Sequence, residues 1–94
     1  MFKIRKRDRS LADFDLTKIK EAVKKAFVAA DMLFNDDILD ILSLRVTADF
    51  QNKIHDNVIE IEDVQDSVEN TLEKSGYTTV AKAYILYRKQ REKL

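Results

Sequence analysis

The 94-residue sequence contains no cysteine, no proline and a single glycine. Without cysteine, neither a disulfide framework nor a thiolate metal site can form. Without proline, and with glycine confined to Gly76, long loops, the turns of a β-sandwich and low-complexity linkers are not expected. The only histidine, His55, has no second His and no Cys to share a metal with, and reads as a surface residue near a helix end. There is no Ser-His-Asp set, no Walker phosphate loop and no glycine pattern for a dinucleotide. Neither catalysis by this chain alone nor a metal site is therefore expected. No apolar run reaches the length of a membrane helix or a signal-peptide core, so the chain reads as cytoplasmic, with no membrane partner.

What is present fits one small domain over residues 1–94, with no internal repeat and no boundary. Apolar residues make up 45 % and charged residues 36 % of the chain, a balance typical of a surface-rich helical protein. Net charge is zero, yet its distribution is uneven. Residues 1–25 carry nine Lys/Arg against four Asp/Glu, residues 26–81 three against twelve, and residues 82–94 five against one. Two basic ends flank an acidic middle. Either opposite charges pair across the fold, or the two ends meet and form one positive patch.

Residues 2–7 alternate loosely, with Phe2 and Ile4 apolar between Lys3, Arg5 and Arg7, as in a half-buried strand. Asp8-Arg9-Ser10 has turn chemistry, and residues 11–14 supply a return strand. Asp15 is placed to cap a helix in which Leu16, Ile19, Val23, Ala26, Phe27 and Ala30 share one face. Asn35 is placed to cap a second helix. Its stripe runs Ile38, Leu42, Val46, Phe50 and Ile54, with Ile41 filling in, and ends within residues 53–57. Val58-Ile59-Glu60 reads as a brief strand or an extended link. Ile61, Val64, Val68 and Leu72 mark a third helix, with Glu62 and Asp63 at its anion-favouring N-terminus and Ser75-Gly76 as its stop. Thr78 is placed to cap a fourth helix with Val80, Ala83, Tyr84 and Tyr87 on one face and a basic end over residues 88–93. The expected fold is α+β and mainly helical: an N-terminal β-hairpin lying as a lid over a four-helix bundle.

The chemistry concentrates at the hairpin. Lys6, Arg7 and Arg9 flank the turn, where they form either a phosphate clamp or a solvated basic surface. Lys18 lies in the first turn of a helix, where the dipole prefers an anion. It marks a bound anion or simply snorkels. Ile4, Phe14 and Ile19 wall an apolar slot for a base or sugar, or belong to the core. Tyr84 and Tyr87 face the bundle or that slot. The acidic pairs Asp36-Asp37 and Glu62-Asp63 suit helix starts and need no metal.

Lys6-Arg7-Asp8, Phe14-Asp15 and Lys18-Ile19 resemble the opening signature of the ATP-cone domain. The segment from Ile61-Glu62-Asp63-Val64-Gln65-Asp66 through Val80-Ala81-Lys82-Ala83-Tyr84-Ile85-Leu86-Tyr87-Arg88 resembles its closing signature, most of all in the versions at the N-terminus of anaerobic ribonucleotide reductases. The resemblance covers nearly the whole chain. It implies a non-catalytic domain that binds ATP or dATP, with Mg, as an allosteric ligand. It also implies control of the catalytic domain of a ribonucleotide reductase or another partner, through changes in oligomeric state. By position it implies that Lys6, Arg7 and Lys18 contact phosphates and that Ile4, Phe14 and Ile19 lie near the base and sugar. Gln65 matches a polar contact position that is His in some members, and Lys89 a basic position on the last helix. The family usually carries Gly where this chain has Arg9. Either the turn differs here, or Arg9 bears the strain and adds a phosphate contact or obstructs the loop. A module binding nucleic acid through the same hairpin is the rival reading, and a structural helical adaptor a third.

Overall fold

A computed structural model of the chain describes residues 1–92. Strand β1 (Lys3–Arg5) pairs antiparallel with β2 (Leu11–Asp13), Ile4 opposite Ala12. Four helices follow: α1 (Leu16–Ala29), α2 (Asp36–Asp49), α3 (Ile61–Lys74) and α4 (Thr78–Glu92). Helix α1 packs on α2 and α4, and α3 on the same two, so the four close into a ring. This is the expected α+β arrangement with one addition. Val58–Glu60 is a true strand, β3, which pairs parallel with β1 on the side away from β2. The lid is thus a three-stranded sheet in the order β2-β1-β3.

Its hinges are built without glycine. Lys6 N–H donates to the Ser10 carbonyl and Arg9 N–H to the Lys6 carbonyl. That pattern is a tight turn followed by a bulge whose left-handed position usually holds Gly, and Arg9 occupies it at φ 74°. Asp56 and Asn57, at φ 52° and 61°, form a two-residue turn, with His55 and Val58 exchanging both backbone hydrogen bonds. His55 is exposed and lies just past a helix end, as expected, in this turn.

The first two caps follow the sequence, whereas Thr78, expected to cap α4, is its first helical residue. Asp15 accepts from Thr17 N–H at 3.0 Å, and Asn35 from Ile38 N–H at 2.8 Å. Gly76, at φ 87°, ends α3 as Tyr77 N–H reaches the Leu72 carbonyl and Gly76 N–H the Glu73 carbonyl. Asp31 plays the same left-handed role after α1.

One core joins Phe27, Leu39, Leu42, Val46, Phe50, Ile59, Val68, Leu72 and Val80, with Phe2, Ile4 and Phe14 of the sheet packed onto it. Three details differ from the periodicity. Helix α2 stops at Asp49 and passes into a 3₁₀ turn (Gln51–Lys53), so Ile54 leaves the helical stripe. Leu39 and Ser43 face inward where Ile41 was expected, and Ile41 is half exposed. In α4, Ala81 is fully buried and Ala83 only half so, because Tyr77, Val80, Ala81 and Tyr84 follow the helical repeat more closely.

Candidate functional site

The sheet does not seal the bundle. Beneath the β1–β2 turn, a cavity of about 490 Å³ opens between the sheet, α1, α3 and α4, within the ordinary range for small-molecule sites. Its apolar wall comes from Ile4 and Ala12 of the sheet, Ile19 and Ala22 of α1, and Ile61, Val64 and Val68 of α3. Tyr84 and Tyr87 line it from α4, their rings 6.2 Å apart. Five cations line it as well: Lys6 and Arg7 from the turn, Lys18 and Lys25 from α1, and Arg91 from the end of α4. Three carboxylates, Asp13, Asp15 and Glu21, share the lining and leave an excess of positive charge.

Each cation reaches the cavity for a local reason. Positions 18, 22 and 25 stack at intervals of four and three along α1, so one face presents Lys18, Ala22 and Lys25 together. Positions 84, 87 and 91 do the same on α4. Arg91 is oriented by Tyr87: its Nη1 donates to the tyrosine hydroxyl at 3.2 Å, and the guanidinium lies 5.8 Å from the ring centroid. Arg7 Nη2 donates to Gln65 Oε1 at 2.9 Å, and its Nε lies 3.9 Å from Glu62. Lys6, Lys18 and Lys25 form no ion pair among the described residues.

Two of the lining carboxylates are engaged locally. Asp13 pairs with Lys3, whose hydrogen bond and charge hold it below the usual carboxylate range. Asp15 is the α1 cap. In the turn, Asp8 accepts from both the hydroxyl and the backbone N–H of Ser10, which lower its pKa with help from Lys6. Deeper in, burial raises the pKa of the Tyr84 hydroxyl and keeps it protonated.

Of the residues singled out in the sequence, Ile4, Lys6, Arg7, Lys18, Ile19 and Gln65 all line this cavity. Phe14 does not. It stacks on Phe2 with centroids 4.7 Å apart and meets Phe50 edge-on at 5.8 Å, at the end of the sheet away from the turn. Lys89 is exposed and outside the lining, since two residues along a helix carry it off the face that Arg91 and Tyr87 share. Arg9 takes the left-handed position but does not line the cavity. Lys25 and Arg91 went unnoticed in the sequence, and the signals that find them are the spacings 18-22-25 and 84-87-91.

The lining can bind a molecule with an apolar, stackable ring and a polyanionic tail. It offers aliphatic and tyrosine surface on one side, and forked and point-charge donors on the other. No group of three or more His, Cys, Asp or Glu that could hold a metal occurs among the described residues. Nor is any described helix long and apolar enough to cross a membrane.

The family model of the ATP cone domain matches residues 2–93. The chain is 34 % identical over 92 residues to a vitamin B12-dependent ribonucleoside-diphosphate reductase of Mycobacterium tuberculosis, covering 98 % of this chain and 13 % of that protein. It is 35 % identical over 94 residues to the anaerobic ribonucleoside-triphosphate reductase of Haemophilus influenzae, covering 97 % of this chain and 13 % of that one. With a ribonucleoside-diphosphate reductase subunit alpha of Chlamydia pneumoniae the identity is 38 % over 93 residues, covering 92 % and 9 %. The chain thus spans about an eighth or less of the length of these relatives.

Proposed function

The chain belongs to the ATP-cone family, and on that premise we propose that residues 1–94 are the regulatory module of a ribonucleotide reductase, which binds ATP or dATP and does no chemistry itself. The observation that carries this reading is the cavity under the basic turn, where five cations border an aliphatic wall and two tyrosines. In this assignment Lys6, Arg7 and Lys18 take the phosphates, joined by Lys25 and Arg91. Ile4 and Ile19 pack against the base and sugar, and Gln65 offers a polar contact. Phe14 acts indirectly, by fixing the far end of the sheet against Phe50. Magnesium enters with the phosphates as their counter-ion. A ribose 2′-hydroxyl bonded in the cavity separates ATP from dATP. Control of the catalytic body then requires that the nucleotide bind two states of the parent assembly unequally.

The experiment is a calorimetric titration of the protein with ATP, dATP and GTP, repeated on the double variant Lys6→Ala/Arg7→Ala. Adenine nucleotides are expected to bind, GTP to bind far more weakly, and the double variant to lose about tenfold or more in affinity, since each charge-assisted contact removed is worth about 1.5–3 kcal/mol. Unchanged ATP affinity in the double variant would sink the clamp.

A further inference from the structure

Helix α3 carries Glu62, Asp66 and Glu69 at intervals of four and three, an acidic ladder on one face. Two arginines from opposite ends of the chain reach it. Arg88 of α4 holds Asp66 at 2.8 Å and Glu69 at 2.9 Å, with its side chain only 14 % exposed. Arg7 of the turn reaches the top of the same ladder, bonding Gln65 at 2.9 Å and facing Glu62 at 3.9 Å. The two attachments differ in kind. Arg88 is enclosed and bonded to two carboxylates. Arg7 is on a turn, its side chain 37 % exposed, facing a carboxylate that is 64 % exposed. The first fastens two helices. The second is a long, solvated ion pair, the weak kind that a stronger anion displaces.

Resting on the nucleotide reading above, we infer that Glu62 is an internal competitor for Arg7. Glu62 with Gln65 on α3 and the phosphates of a bound nucleotide are alternative acceptors for the guanidinium, and binding exchanges the first for the second. A triphosphate carries more charge than one carboxylate and offers paired oxygens to the guanidinium fork, so it wins the exchange. The exchange detaches the β1–β2 turn from α3 and leaves Glu62 with solvent. Glu62 therefore sets the affinity of the site without touching the ligand.

The test is ATP titration of the unaltered chain, Glu62→Gln and Asp63→Asn, the last removing an equal charge one residue along α3 from a group that no ion pair engages among the described residues. Glu62→Gln is expected to tighten ATP binding by about two- to fivefold, the worth of an exposed pair, and Asp63→Asn to change it far less. In parallel, the Arg7 Nε–H resonance is expected to move when ATP is added, and to be moved already in Glu62→Gln before any addition. Equal tightening in the two variants, or none in Glu62→Gln, would overturn the exchange while leaving nucleotide binding intact. Absence of ATP binding by the unaltered chain would overturn both.

Discussion

Arg9 occupies a left-handed position that favours glycine. Among the described residues, the other left-handed ones besides Gly76 are Asp31, Asp56 and Asn57, whose short polar side chains tolerate that conformation. Arginine has no such compensation, so the turn stores strain beneath its hydrogen bonds. Arg9→Gly is therefore expected to raise stability by about 0.5–1 kcal/mol, a rise in Tm of about 3–6 °C in a chain this short. ATP affinity should stay unchanged, because Arg9 does not line the cavity. Thermal and urea unfolding with an ATP titration would check both halves, and a fall in affinity would show that Arg9 reaches the ligand. The same scale shows what single residues disclosed. Lys6, Arg7 and Lys18 stood out because cations beside a turn and a helix N-terminus are conspicuous. Lys25 and Arg91 did not, since a lysine in mid-helix and an arginine at a basic helix end look like ordinary surface. Phe14 was read as a slot wall or as core, and it packs on the core. Only the pairing of Phe2 with Phe14 and Phe50 shows that the ring closes the other end of the sheet.

Among the elements, the helices were legible because their caps and apolar stripes are local features. Asp15, Asn35 and Gly76 act where the sequence puts them. Strand β3 is three residues long, too short for any alternation to register, and only its partner β1, more than fifty positions earlier, makes it a strand. The attachment of α4 to α3 was likewise invisible, because it depends on Arg88 meeting carboxylates about twenty residues back. Burial presses the Arg88 guanidinium downward in pKa, and its hydrogen bonds to Asp66 and Glu69 outweigh this and hold it above its ordinary value. Removing it leaves two carboxylates facing each other in a partly enclosed space. Arg88→Ala is expected to cost about 1–3 kcal/mol. Arg88→Lys should recover less than half, since one ammonium cannot fork to both acids. Urea unfolding of the two variants decides it. A loss below about 0.5 kcal/mol in Arg88→Ala would mean that packing of Tyr84 and Val80, not the ion pairs, fastens the last helix.

For the whole molecule, the neutral net charge hides a division of labour. Part of the basic charge at the two ends is absorbed by the acidic middle, through Arg5 with Glu60, Lys20 with Asp40 and Arg88 with Asp66 and Glu69. Five other cations, Lys6, Arg7, Lys18, Lys25 and Arg91, gather at one cavity. Both readings of the charge pattern are thus partly realised. A local excess on a neutral body draws a compact polyanion to one place, whereas nucleic acid binding rests on many phosphates spread over a long surface. The two predict different behaviour in unfolding experiments. Ligand at about 100 times its dissociation constant adds roughly 2.7 kcal/mol to the stability of the folded state, which in a domain this small raises Tm by about 10 to 20 °C. ATP and dATP are expected to give that rise and GTP to give little. The rise should shrink as salt increases from about 0.1 to 1 M, where screening contracts to roughly 3 Å, but it should persist, because the tyrosines and the aliphatic wall still hold the base. A nucleic-acid module would instead ignore the identity of the mononucleotide and lose its ligand steeply with salt. No rise with any nucleotide would leave the cavity without its proposed occupant and return the basic turn to the role of a macromolecular contact.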